Sequence, residues 1–201
     1  MPTLFFSAAS PFVRMVRVAA AEKGITLTNQ PVAVTPVTPN AEVAAKNPLM
    51  KVPSLGLDDG TTLFDSRVIR DWVDAQAPSP KLVPTEGKAR WEVLTLEALG
   101  NGLLDAALVH RYEHMLRPEE KRFQPWIDGQ WAKVTGALDA LEKQAPGFGE
   151  RVDAGTIAVA CALGWLDFRF GHAPWREGRP QLAAWYERFS SRPSMQATAP
   201  G

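Results

Sequence analysis

Leu4-Phe5-Phe6-Ser7-Ala8-Ala9-Ser10-Pro11-Phe12-Val13-Arg14 is the stretch whose reading decides the fold. Residues 3 to 7 read as a short apolar strand, and Ser10-Pro11 then reads as a helix start. A Ser side chain at the N-cap accepts from a free backbone N–H, and Pro fits the first helical position because its missing N–H costs nothing there. The helix runs from Pro11 to Lys23 and is stopped by Gly24. Its first turn leaves unpaired N–H groups and the positive end of the helix dipole facing outward, an environment that suits an anion.

Working outward, Thr26 to Val34 alternates and is β-branched, which predicts a second strand. Glu42 to Lys46 predicts a short helix ended by Asn47-Pro48. Pro53 to Leu57 and Thr61 to Phe64 flank Asp58-Asp59-Gly60, a hairpin signal. Asp65-Ser66 opens a further helix that reaches Ala75 and supplies a second set of free N–H groups. Between the two helix starts, Val52-Pro53 offers a strand edge able to pair with the backbone of a peptide. The order is βαβ-ββα. Ala77-Pro78-Ser79-Pro80-Lys81-Leu82-Val83-Pro84 then reads as an interdomain linker. Beyond it the apolar spacing is helical in Trp91 to Met115, Trp131 to Leu141 and Ile157 to Phe170, with breaks at Pro118 and Pro125. The expected division is residues 1–77, a linker at 78–84, and an all-helical domain over 85–201.

The 22 basic and 22 acidic residues balance, so no overall field steers the chain toward nucleic acid or an anionic membrane. No apolar run approaches the roughly 20 residues that cross a bilayer. Arg14 and Arg17 interrupt what would be the core of a secretory signal. The single Cys161 excludes an internal disulfide and a cysteine metal cluster. These features together predict a cytoplasmic protein.

Strand, Ser-Pro-Phe helix start, Asn47-Pro48, Lys51-Val52-Pro53, hairpin and Asp65-Ser66 follow one another in an order that resembles the glutathione transferase family. Ser10-Pro11-Phe12-Val13 and Glu22-Lys23-Gly24-Ile25 look most like its serine-type members, including bacterial ones. The likeness continues through Gly164-Trp165-Leu166-Asp167-Phe168-Arg169 to Arg192-Pro193-Ser194. It implies a thioredoxin-like α/β domain followed by an all-α domain, glutathione as co-substrate with no tightly bound cofactor, a small apolar electrophile as second substrate, and a homodimer. Where the family places Ser or Thr first and Asp three residues later in a reciprocal helix cap, Asp153 and Thr156 invert the order, which predicts a somewhat weakened cap.

The resemblance makes Ser10 the hydroxyl that donates to the glutathione sulfur, with Ser7 as the rival. A thiol pKa of about 8.5 would fall toward roughly 6 to 7 beside such a donor and a helix N-terminus. Pro53 would be cis, Val52 would pair with the cysteinyl backbone, Lys51 would meet the glycyl carboxylate, and Asp65 and Ser66 would hold the γ-glutamyl end. Each has an ordinary structural role as cap, strand start or surface charge. Arg14 and Arg17 lie one and two turns into the first helix, where Arg14 could approach the thiolate. The apolar pocket would draw on Leu99, Leu103, Leu104, Ala107, Tyr112 and Trp165, whose helical spacing equally describes a core. Two other readings stand beside conjugation: a glutathione-binding protein without turnover, and a metal-dependent hydrolase through His110, Glu113 and His114, which match an inverted zincin pattern without a defined third ligand. Cys161 reads as inert core, and the absence of a Cys near position 10 disfavours thiol exchange.

Overall fold

A computed structural model describes residues 1–200. The first half forms strand β1 (Thr3–Phe6), helix α1 (Pro11–Glu22), β2 (Thr28–Pro31), α2 (Ala41–Ala44), β3 (Ser54–Gly56), β4 (Thr62–Phe64) and α3 (Ser66–Gln76). It is followed by α4 (Gly87–Leu116), a 3-10 turn at Glu119–Lys121, α5 (Gln124–Gln144), a second 3-10 turn at Ala145–Gly147, α6 (Ala154–Arg169), α7 (Pro180–Ser190) and α8 (Pro193–Gln196). The chain divides into two compact units, residues 1–90 with 192–201, and residues 91–191.

In the first unit the sheet order is β2-β1-β3-β4, with β1 parallel to β2 and β3 antiparallel to both β1 and β4. Alternation in β1 sends Leu4 to one face, where it packs with Leu55, Val16 of α1 and Ile69 of α3. Phe5 goes to the other face, with Val32 and Val43 of α2. The result is the thioredoxin-like α/β domain. The second strand is shorter than its pattern suggests: β2 is an exposed edge at Thr28–Pro31, with Val32 N–H donating to the Phe6 carbonyl at 2.9 Å just beyond it, and an edge strand tolerates a proline. Gly60 takes φ +88 in the hairpin turn.

The proline-rich stretch is tied to the first unit. Buried Lys23 pairs with Asp74 at 3.0 Å and donates to the carbonyls of Ala77 (2.7 Å) and Pro80. Asp74 in turn accepts from the N–H groups of Leu82 (2.9 Å) and Val83 (3.2 Å). Burial pushes the Asp74 carboxyl upward, but the Leu82 N–H, Lys23 and the Val83 N–H together outweigh it and hold the group below its ordinary value. The last residues also pack here: Arg192 grips Glu22 of α1 at 2.8 and 2.9 Å, with Ser194 adding a third hydrogen bond. Arg192 leads in holding the Glu22 carboxyl below its usual range, against a smaller opposing effect of burial. Arg14 donates to the Met195 carbonyl at 3.0 Å.

The second unit is helical. α6 is apolar on all sides, and Ala154 through Leu166 are buried along it. Its cap is complete despite the inverted order: Thr156 N–H donates to Asp153 at 2.8 Å, and Asp153 N–H donates to the Thr156 hydroxyl at 2.9 Å. Two glycines let α4 and α6 approach. A Cβ on Gly100 would lie 2.9 Å from the Ala158 carbonyl carbon, and one on Gly155 would lie 2.9 Å from the Val93 oxygen. α7 lacks a side-chain cap of its own and is capped from α5, where Glu142 accepts from Gln181 (3.1 Å) and Leu182 (2.8 Å).

Gly100→Ala should lower stability by about 1 to 2 kcal/mol, because the overpacking of main chain against Cβ exceeds the helix-propensity gain of at most about 1 kcal/mol. Gly136→Ala, where a Cβ meets nothing within 4 Å, should raise stability by up to about 1 kcal/mol. Urea unfolding of the two variants checks the pair, and a Gly100→Ala protein as stable as its parent would contradict the close crossing.

Candidate functional site

The sheet register decides which residues meet. Phe5 lies opposite Ser54, and Ser54 lies opposite Phe64. Continuing both registers by two residues directs Ser7 and Ser66 to the two sides of Val52. Because β3 is antiparallel to both neighbours, β1 and β4 end at the same edge, and α1 and α3 begin there. Ser7, Ser10, Val52, Pro53, Asp65 and Ser66 are thus brought to one end of the sheet.

Ser10 is the N-cap of α1, in extended backbone (φ -85, ψ 121), and its Oγ accepts from Val13 N–H at 3.3 Å. That bond uses a lone pair and leaves the hydroxyl proton uncommitted. Pro11 contributes no N–H, so the Phe12 N–H is the free donor of this turn. Ser7 accepts from the Ser10 N–H through its carbonyl at 3.0 Å, and its side chain is half-buried.

Val52-Pro53 is cis. No hydrogen bond joins the Val52 main chain to another described residue. The loop before it is fixed by a residue whose role the sequence did not reveal. Asn47, buried to 1% exposure, donates to the Lys51 carbonyl at 3.0 Å and accepts from Leu49 N–H at 2.9 Å. Buried Ser54 donates to the same Lys51 carbonyl at 3.0 Å. The Asn47-Pro48 pair marked the end of α2, but its partners lie within a loop whose path only the structure defines.

Asp65 caps α3 at φ +70, ψ 130, a region that residues with a Cβ rarely occupy. Its Oδ1 accepts from the Arg67 N–H at 2.9 Å, and the Arg67 guanidinium grips both carboxylate oxygens at 3.1 Å. Arg67 is the main reason the carboxyl lies below its ordinary value, burial opposes this, and the Lys51 charge adds a smaller downward push. Lys51 is therefore within electrostatic reach of Asp65. Ser66, at 7% exposure, opens the helix with its N–H in the unpaired first turn.

Arg14 is buried, with Nη2 donating to the Met195 carbonyl. Arg17 stands over the Phe6 ring at 5.3 Å. A shallow groove of about 560 Å³ lined by Ile25, Leu57, Asp58, Trp72 and Gln76 opens at the opposite end of the sheet and contains none of the groups above.

In the second unit, Leu103 (1% exposed), Ala107 (0%) and Trp165 (3%) are buried, as is Leu104, while Tyr112 is half-exposed. Leu99, also half-exposed, and Tyr112 are the residues of this set that keep accessible surface. Burial raises the Tyr112 phenol above its ordinary value, against smaller effects of Arg111 and Arg169, so it stays protonated at neutral pH. The rings of His110 and His114 lie tilted against each other with centroids 4.7 Å apart, and their Nδ1 atoms face the carbonyls of Ile127 (3.3 Å) and His110 (3.0 Å). Glu113 is engaged by Arg117 and the Phe123 N–H. Among the described residues no group of three or more His, Cys, Asp or Glu side chains is arranged to hold a metal ion. Cys161 is buried inside α6.

Residues 9–76 match the glutathione S-transferase N-terminal domain and residues 124–188 the glutathione S-transferase C-terminal domain. The chain belongs to the glutathione S-transferase family. It is 34% identical over 197 residues to the uncharacterized GST-like protein YibF of Escherichia coli, covering 96% of each chain. A crystal structure of a glutathione transferase family member from Pseudomonas fluorescens Pf-5, with bound glutathione, is 46% identical with a TM-score of 0.98 and full coverage of both chains. Another, from the same organism with bound S-(propanoic acid)-glutathione, is 45% identical with a TM-score of 0.93, again over both chains in full.

Asn47→Ala should lower stability by about 2 kcal/mol, since it removes three hydrogen bonds from a buried turn and leaves the Leu49 N–H without its acceptor. Chemical denaturation measures this, and unchanged stability would show that the turn does not depend on Asn47.

Proposed function

We propose that this chain is a serine-type glutathione transferase, in which Ser10 stabilises the glutathione thiolate for attack on a small electrophile. The observation that carries the proposal is the Ser10 hydroxyl: it accepts at the α1 N-cap, keeps its proton free, and lies at the sheet end that also holds Val52 and the start of α3. Glutathione bound to the relative from Pseudomonas fluorescens supports the ligand, and the sulfur-substituted glutathione in the second structure supports the thiol as the reacting atom.

Each part of the tripeptide then has a partner. The free Val52 main chain pairs with the cysteinyl residue, as an added strand would. The γ-glutamyl carboxylate takes the Ser66 N–H and hydroxyl at the positive end of α3, and its amine approaches the Asp65 carboxylate. Arg67 already compensates part of that charge, so Asp65 contributes less than a free carboxylate would. Lys51 meets the glycyl carboxylate. The S–H proton leaves to solvent, Ser10 Oγ–H and the Phe12 N–H hold the anion, and the sulfur lone pair forms the new bond to the electrophilic carbon as the leaving group on that carbon departs with its bonding pair. Orientation and pKa tuning supply the rate enhancement.

We further propose that the functional division lies at the proline-rich stretch 78–84, with the glutathione site in residues 1–77 and the electrophile served by residues 85–201, Tyr112 among them. A cytoplasmic homodimer completes this reading, supported by the family resemblance and by a single cysteine, Cys161, buried and in no disulfide. No helix among the described residues is long and apolar enough to cross a membrane.

Ser10→Ala should raise the pKa of bound glutathione by about one to two units and lower conjugation of a chloronitroaromatic by about 10- to 100-fold, on the scale of a hydrogen bond to a charged group worth roughly 1.5 to 3 kcal/mol. Ser7→Ala should leave that titration in place. Asp65→Ala and Ser66→Ala should weaken glutathione binding in calorimetry while barely moving the thiol pKa. A shift on Ser7→Ala with none on Ser10→Ala reverses the two serines, and glutathione binding without turnover in the parent makes this a binding protein.

A further inference from the structure

Most arginines of the second unit are paired. Arg117, Arg151, Arg176, Arg179 and Arg188 each face a carboxylate, and Arg122 donates to the carbonyls of Arg117 and His114. Arg111 and Arg169 differ. Arg111 makes its closest polar contact with the Met115 sulfur, Nη2 to Sδ 3.7 Å, a weak acceptor. Arg169 lies over the Phe168 ring at 3.9 Å. Neither forms an ion pair among the described residues.

The residues next to them in sequence, His110 and Phe170, have ring centroids 5.7 Å apart, which brings the end of α4 and the end of α6 to one place and Arg111 within electrostatic reach of Arg169. Tyr112, next to Arg111 in sequence, is within electrostatic reach of both charges. Burial is the main cause, and Arg111 the second, of the downward pressure on the Arg169 guanidinium. Two like charges repel, and neither faces a carboxylate among the described residues. Stacking on Phe168 occupies a guanidinium face and leaves its N–H edge free. The Tyr112 hydroxyl is a further donor. The cluster therefore presents donors and positive charge beside the flat rings of Tyr112 and Phe168.

We propose that Arg111, Tyr112 and Arg169 form a binding subsite for a carboxylate carried on a flat apolar body. The guanidinium fork matches a planar carboxylate, and the two rings suit an arene or conjugated chain better than a compact anion such as phosphate. Resting on the transferase reading, the electrophile of this enzyme is then an unsaturated or aromatic carboxylic acid.

Tryptophan fluorescence of the full chain, titrated with 3-nitrobenzoate and with 3-nitrobenzamide, tests the subsite without requiring turnover. The acid should bind about ten-fold more tightly than the amide, the scale of a partly solvated charge-assisted pair. Arg111→Gln and Arg169→Gln should each reduce this preference to about two-fold or less, and Arg→Lys at either position should restore part of it, with circular dichroism confirming the fold. Equal binding of acid and amide, a preference kept in both Gln variants, or displacement of the acid by an equal concentration of inorganic phosphate would overturn the proposal. Turnover separates the two claims. With glutathione and 4-chloro-3-nitrobenzoate, the thiolate sulfur bonds to the chlorine-bearing carbon, the C–Cl bond breaks, chloride leaves and the thiol proton passes to solvent. The KM of this acid should lie about ten-fold below that of 4-chloro-3-nitrobenzamide. Turnover of both without discrimination overturns the subsite and keeps the transferase, whereas acid-selective binding with no turnover of either keeps the subsite and ends the transferase reading.

Discussion

The antiparallel placement of β3 between β1 and β4 is the constraint on which the candidate site depends. With a single strand reversed between them, the outer two must finish at the same edge, and the helices that follow must start there. Two sets of unpaired N–H groups then converge with a free strand edge at Val52 without any residue having to leave its element. A ligand with an anionic sulfur, an extended backbone and an α-carboxylate would meet each of these groups with ordinary backbone chemistry.

Around that arrangement, charge fastens the proline-rich stretch and the C-terminal residues, which also bury Leu82, Val83 and Met195. The buried Lys23–Asp74 pair holds the proline-rich stretch by its main-chain groups, so each member of the pair is satisfied by more than the other's charge. This is the condition under which a buried ion pair is tolerated. Glu22 does the same for the C-terminal residues through Arg192 and Ser194. The folded carboxyls of Asp74 and Glu22 both titrate below their ordinary values. Their contributions are therefore complete above the unfolded pKa values, and each is lost as pH falls through the folded one. Arg111 and Arg169 stand out against this pattern as cations that no described carboxylate fastens.

Much of the first unit was legible because its signals are local. Ser10-Pro11, Asp59-Gly60 and Asp65-Ser66 each act within a few residues, and a cap or a turn is specified by chemistry at fixed short spacing. What stayed hidden depends on partners distant in the chain. Glu142 caps a helix about 40 residues later, Arg14 reaches a carbonyl 181 residues away, and Lys23 meets a stretch more than 50 residues on. The pocket residues were ambiguous for a different reason. Leu103, Ala107 and Trp165 carry the same helical period whether they line a cavity or fill a core, and their burial is a property of the folded chain that the period does not encode. The unpaired state of Arg111 and Arg169 is likewise invisible in a chain whose charges balance overall.

The central claim is that the end of the sheet marked by Ser10, Val52 and Ser66 is where glutathione binds and its sulfur is held. A crystal structure of this chain with glutathione tests it most directly. The account predicts the sulfur within hydrogen-bond distance of Ser10 Oγ, about 3.0 to 3.5 Å, the cysteinyl backbone paired with Val52, and the γ-glutamyl carboxylate on the Ser66 N–H. Sulfur density on the Ser7 hydroxyl, or glutathione seated away from this edge, would contradict it.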